Sequence, residues 1–234
     1  MLVLVIAIIA SLIPSLLLYK YLRDLKKEDG EYTKNCRNIL IRGILCCIGV
    51  FILDLILVIA WNALDLDVSP LLQKIFRTFV IYAFVEELVK FLHVRRVITK
   101  DCGQISWMDC IAYFGIVGIG FQIIETFAQA FSSGVGQILA KGITMGHPSY
   151  GMMMGYFIGR SYRTGNRSDA WTGFLLPFFL HGLYDLSLSE EFLAINDNLI
   201  FVPFILIAIE VVVLIKLILF VRKHRDDPEY TEPV

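Results

Sequence analysis

Residues 77–94 read RTFVIYAFVEELVKFLHV. The run is apolar enough to cross a bilayer, yet it holds Glu86, Glu87 and Lys90 near its middle. A charged side chain at mid-bilayer costs roughly 2.5–3.5 kcal/mol even on mild insertion scales, so such groups face a bundle interior and one another. Glu125, His147, His181 and Asp185 lie in three further apolar runs. With the glutamate pair they make six acid or imidazole groups on four segments, which implies a built polar site inside a membrane protein.

Working outward, the 234-residue chain is 57% hydrophobic and 18% charged, with a mean hydropathy of +0.69. That composition excludes an ordinary soluble globular domain. Runs of about 20 apolar residues fall near 2–19, 38–60, 75–95, 107–131, 137–160, 171–188 and 199–221. The fold class expected is an all-α, polytopic integral membrane bundle of about seven transmembrane helices, with one transmembrane domain over 1–221 and a short cytoplasmic tail over 222–234. The tail, acidic and proline-containing, reads as disordered. Connections 20–37 and 187–198 read as loops.

Lys20, Arg23, Lys26 and Lys27 follow the first apolar run and none precedes it, the reverse of a cleaved signal peptide. Fifteen of the 21 Lys and Arg fall in 20–37, 94–106, 160–170 and 222–234, whereas 61–69, 132–136 and 187–198 contain none. The basic segments belong on the cytoplasmic side. The N-terminus is therefore expected outside and the C-terminus inside, which an odd helix count satisfies. Cys36, Cys46, Cys47, Cys102 and Cys110 show no CxxC spacing, so neither a disulfide framework nor a thiolate metal site is expected.

Lys90 follows Glu86 by four residues and Glu87 by three, so both carboxylates can reach its ammonium on one helix. Two carboxylates against one lysine leave an excess negative charge, the setting of a general acid or base. A neutralised packing pair is the plainer alternative. Phe121 and Glu125 lie one helical turn apart on a face shared with Gly118, and a simple interhelix hydrogen bond would explain Glu125 equally. His181 and Asp185, four apart, allow the carboxylate to fix the imidazole tautomer. His147 precedes Pro148 in the middle of the fifth run, where the proline frees a backbone carbonyl. His93, beside Arg95 and Arg96, reads as interfacial; Lys141 and Lys216 read as snorkelling residues. Gly151, Gly155 and Gly159 recur every four positions and mark close helix packing, while Met152, Met153 and Met154 read as filler.

Depth depends on where the third span begins. The pattern over Pro70–Thr78 suits an interfacial helix that turns into the span. A start near Arg77 buries Glu86 and Glu87 about 14 Å deep, in the outer half with Glu125 and Asp185; a start at Pro70 disperses the cluster toward the cytoplasm.

The ordered set Glu-Glu-x-x-Lys, Phe-x-x-x-Glu and His-x-x-x-Asp resembles the PrsW family of multi-pass membrane proteases over the third to sixth spans. That family is similar to the CAAX prenyl endopeptidases and bacteriocin-processing proteins, regarded as glutamic-type intramembrane proteases. The resemblance implies a bacterial plasma-membrane enzyme. It also implies cleavage of a single-pass anti-sigma factor on its extracytoplasmic side, with the bilayer as the other partner and no nucleic acid. It assigns water activation to Glu86, with Glu87 in support. The CAAX branch has histidine where this chain has Glu125, and asparagine where it has Asp185, which leaves His147 to replace the missing histidine and His181, oriented by Asp185, to stabilise the oxyanion.

The expected chemistry is peptide hydrolysis without a cofactor, by a water that Glu86 or Glu87 deprotonates, with Glu125 or His147 helping to position it and His181 stabilising the tetrahedral intermediate. Two other readings compete. Zinc could be held by the same histidines and carboxylates, although HExxH is absent. A proton-coupled transporter or a non-catalytic scaffold would also place carboxylates and histidines in a membrane, but no matching halves are visible.

Overall fold

The computed structural model describes residues 2–100, 105–130 and 134–233, with the side chains at 99, 100, 137, 140, 141 and 143 excepted. Cys102 and the Lys141 side chain thus lie outside the described residues, as do residues 132 and 133 of the 132–136 connection. Every element among the described residues is helical.

Helix α1 (Leu2–Arg23) leads through a 3₁₀ turn into α2 (Gly30–Ala63), which begins where Asp29 caps Glu31 and Tyr32. Residues 30–37, expected as loop, are therefore helix. Tyr32 closes the corner by donating its hydroxyl to the Leu22 carbonyl at 2.6 Å. Next come α3 (Pro70–Phe76), a π-helical segment (Arg77–Ala83) and α4 (Phe84–Lys100), with α-region backbone at both junctions. The expected turn between an interfacial helix and the third span is absent. Ser69 and Pro70 supply the N-terminal cap and first-turn proline, and nothing afterwards breaks the ladder. Trp61 stacks on Phe76, with ring centroids 3.9 Å apart, and Arg77 Nη2 donates to Asn62 Oδ1 at 2.5 Å. These contacts put Arg77 level with the end of α2.

Helix α5 (Trp107–Gln129) starts at a reciprocal Ser106–Asp109 capping box and is buried along most of its length. Lys26 reaches this box from the α1–α2 corner, 2.7 Å from Asp109 Oδ1. The fifth apolar run, expected as one helix over 137–160, is two: α6 (Val135–Thr144) and α7 (Gly146–Thr164). They break at Met145, which has φ 47° in the left-handed region. Pro148 thus lies in the first turn of α7, where its missing N–H has no carbonyl to serve, rather than in mid-helix. Helix α8 (Arg167–Ser187) comes next, then short α9 (Glu190–Leu193), a 3₁₀ turn and α10 (Val202–His224).

The tail is folded rather than disordered. Helix α11 (Pro228–Thr231) lays Tyr230 against Trp107, Phe220 and His224, with centroids 5.0, 5.3 and 4.3 Å away. Those three aromatic partners outweigh the polar composition that suggested disorder. Cys36, Cys46, Cys47 and Cys110 are free and buried, and Met152, Met153 and Met154 are core residues.

Glycines set how closely α5 and α7 run antiparallel. A Cβ at Gly118 would stand 2.3 Å from the His147 carbonyl oxygen, and one at Gly151 would stand 2.1 Å from that of Phe114. Gly155 meets Cys110 in the same way, and Gly159 meets Trp107. The four-residue glycine period is a packing device that lets one backbone lie on the other. Among the described residues, four helical stretches are long and apolar enough to cross a membrane: Leu2–Lys26, Gly30–Ala63, Trp107–Gln129 and Asp197–His224. The seven expected spans are not all of this kind, because α4, α7 and α8 carry charge.

Candidate active site

Glu86, Glu87 and Lys90 project from the first turns of α4, directly after the π-helical segment. A π segment widens the helix and shifts the phase of the residues after it, a feature common beside functional sites. Both glutamates and the lysine are buried, Glu87 at 0% exposure and Lys90 at 2%. Glu125 comes from the last turns of α5, His147 from the first turn of α7, and His181 and Asp185 from the last turns of α8. All seven residues singled out in the sequence meet in one cluster.

Glu87 is its hub. Its Oε1 lies 2.6 Å from Lys90 Nζ and 2.9 Å from His181 Nδ1. Lys90 Nζ also lies 3.0 Å from His147 Nδ1. An ammonium has only protons to give, so this Nδ1 accepts, and the proton of His147 is assigned to Nε2. That Nε2 donates to Glu125 Oε2 at 2.5 Å, and Gln129 Nε2 donates to the other Glu125 oxygen at 3.2 Å. His93, whose Nδ1 lies 2.8 Å from the Val89 carbonyl of its own helix, stays outside the cluster.

His181 was expected to take its orientation from Asp185, four residues on. Asp185 Oδ2 does stand 3.3 Å from Nε2, but Glu87, on another helix, is closer and holds the opposite nitrogen. A carboxylate behind Nδ1 turns Nε2 toward the reacting space. Glu86 is arranged differently from its neighbour. Its Oε2 is buried without a hydrogen-bond partner and stands 3.9 Å from both His147 Nε2 and His181 Nε2. Such a gap is too long for a hydrogen bond and short enough for one bridging water. A cavity of about 20 Å³ is lined by the same two histidines with Glu125 and Asp185 among others, space for one water molecule.

Two carboxylates of the bundle escape the sequence pattern. Glu210, on α10, is 2% exposed and accepts the hydroxyl proton of Tyr150 through Oε1. The Tyr150 ring in turn stacks on His181, centroids 5.3 Å apart. Ser149 Oγ ties the same turn to the Glu210 carbonyl at 3.3 Å. Asp54, on α2, is 8% exposed with Oδ1 lacking a hydrogen-bond partner. A single carboxylate inside FVPFILIAIEVVV or FILDLILVIA is itself the signal.

Buried carboxylates and imidazoles converging inside an apolar helical bundle define a polytopic membrane protein with an acid–base centre. Residues 37–215, which contain all seven cluster residues and Glu210, match the family model described as PrsW family intramembrane metalloprotease, and the chain belongs to that family. It is similar to Protease PrsW of Shouchella clausii, at 30% identity over 190 residues, covering 78% of this chain and 83% of the relative. It is also similar to Protease PrsW of Geobacillus kaustophilus, at 27% identity with 76% of each chain covered. The corresponding protein of Halalkalibacterium halodurans is 28% identical, with coverage of 82% and 86%. No solved structure matches. The protein is a membrane peptidase.

The family description implies a metal, and the donor set fits one. Glu86, His147 and His181 each offer a ligand atom, all within 4.8 Å of one another, and two imidazoles with a carboxylate are a donor set of catalytic zinc. The two histidines are unequally prepared. Glu87 on Nδ1 turns His181 Nε2 to the site, with Asp185 Oδ2 3.3 Å from it, whereas Lys90 on Nδ1 leaves His147 Nε2 carrying the proton that Glu125 accepts. Metal binding at His147 requires that proton to move and Lys90 to turn away.

Proposed function

We propose that this peptidase cleaves a single-pass membrane protein of the anti-sigma class on its extracytoplasmic side, with Glu86 as the base that activates water. The observation that carries the reading is the buried, unpartnered Glu86 Oε2 between two imidazole nitrogens. Glu87 is occupied by Lys90 and His181, so its role is to hold His181. In this mechanism a water bridging Glu86 and the imidazoles gives up a proton to Glu86 and attacks the scissile carbonyl. His147, presenting its Nε2 proton, and His181 stabilise the developing oxyanion or return a proton to the leaving amine. Glu125, which accepts the His147 Nε2 proton at rest, fixes that tautomer, and the proton turns to the oxyanion only when the substrate displaces Glu125. Because the cavity holds one water, a peptide enters only when the surrounding helices part.

The orientation proposed is N-terminus outside and C-terminus in the cytoplasm of a bacterial plasma membrane, with α4, α7 and α8 completing seven crossings. It is supported by the sidedness of Lys and Arg and by Arg77 lying level with the end of α2.

A metal reading shares the same atoms and is favoured by the Glu86–His147–His181 convergence. A metal held by these three residues would supply a Lewis acid. Co-expression with a candidate single-pass anti-sigma factor tests the function. A truncated product with the native chain, and none with His181→Ala at equal membrane abundance, is expected; intact substrate in both cases, or product in both, overturns it. Stoichiometric zinc in the purified protein with chelator-sensitive cleavage would replace the metal-free mechanism.

A further inference from the structure

A groove of about 580 Å³ runs between α4, α7 and α8, the three helices that carry most of the cluster. Its body is apolar and aromatic, walled by Phe84, Phe91 and Phe174, with Phe91 and Phe174 in edge contact at 5.9 Å. Its polar lining residues gather at one end. Arg95 comes from the later turns of α4, Ser161 and Tyr162 from the last turn of α7, and Trp171 from the start of α8. Among the described residues Arg95 is the single charged residue of the lining, and that end of the bundle also carries Arg96, Arg163 and Arg167.

An occupant matching this wall has an apolar body and an anionic head at the arginine end. We propose that the groove binds one anionic phospholipid, an acyl chain lying along the phenylalanines and the phosphate head against Arg95, Ser161 and Tyr162. A zwitterionic lipid would bring its own cation to the arginines. The end of a substrate helix that enters the cytoplasm typically carries Lys or Arg, which this basic rim repels. Basic pockets between membrane helices are known to select anionic head groups. Lipid binding here goes beyond the peptidase reading; it rests on the proposed orientation but not on cleavage, since its readout is binding.

Native mass spectrometry of the full chain from micelles containing equimolar phosphatidylglycerol and phosphatidylcholine tests it. One retained phosphatidylglycerol per chain is expected, favoured about fivefold, the effect of one basic residue near an anionic surface. Arg95→Gln should bring the ratio to near one. Ala170→Trp, which fills the groove from α8, should remove the retained lipid. Lys216→Gln, on α10, should change nothing. Equal retention of the two lipids, no retained lipid, an unchanged ratio in Arg95→Gln, an equal loss in Lys216→Gln, or displacement by an added apolar single-pass peptide would each overturn the proposal.

Discussion

Helices α1, α2 and α10 differ from α4, α7 and α8 in what they bury. In the first group about a quarter of each apolar window is buried (22%, 28% and 28%), leaving broad apolar faces exposed. The second group holds six of the seven cluster residues and is not apolar enough to read as membrane-crossing by composition. Helix α5 stands between them, 78% buried and apolar, with Glu125 near its end. A bilayer accepts charged helices when apolar ones shield them, so the helices that look least like membrane spans are the ones that carry most of the buried acid and imidazole cluster.

Substitutions in the two groups should therefore separate by size. The largest stability effect is expected at Lys90→Met, which leaves Glu87 buried without its cation. Breaking a buried pair from one side costs about 3–5 kcal/mol, so unfolding in detergent should shift by that amount. Gly118→Leu should come second, because its side chain would drive α5 from the His147 carbonyl. Overpacking of this kind costs about 1–3 kcal/mol, and separation of Glu125 from His147 should lower cleavage more than stability.

Glu210 tests the boundary, since it sits on a shell helix yet serves the core through Tyr150. Glu210→Leu strands a buried hydroxyl at a cost of about 1–3 kcal/mol and should slow turnover by releasing the ring stacked on His181. Glu210→Gln keeps the acceptor and should retain most activity; equal loss in both would show that the charge matters, not the hydrogen bond. The smallest effect is expected at Ile52→Ala on α2, where the side chain is 59% exposed. Away from buried features a change within about 0.5 kcal/mol is normal, and a larger one would show that α2 packs against something through that face.

Much of this architecture is legible in the sequence, for identifiable reasons. Helical spacing alone puts Lys90 within reach of Glu87, and His181 within reach of Asp185. The glycine period foretells the close packing of α5 and α7. What escapes depends on contacts between distant segments. Nothing local says that Glu87 rather than Asp185 takes the near side of His181, because that choice is made by the packing of α4 on α8. The break at Met145 is hidden inside a continuous apolar run, although Gly146 and Pro148 flank His147 as a helix start would. Glu210 has no polar partner at helical spacing, so its isolation in an apolar run is its one mark, and only the packing of α10 on α7 shows that it serves Tyr150.

The division of labour within the glutamate pair is the central claim, and a comparison of Glu86→Gln with Glu87→Gln tests it most directly. Each purified variant would be reconstituted with a cleavable single-pass substrate, and rate and thermal unfolding would be measured together. Glu86→Gln should abolish cleavage while unfolding close to the native protein, since its Oε2 holds no hydrogen bond that folding needs. Glu87→Gln should lower both, because it loosens Lys90 and His181. Cleavage at the native rate by Glu86→Gln, with loss confined to Glu87→Gln, would contradict the account.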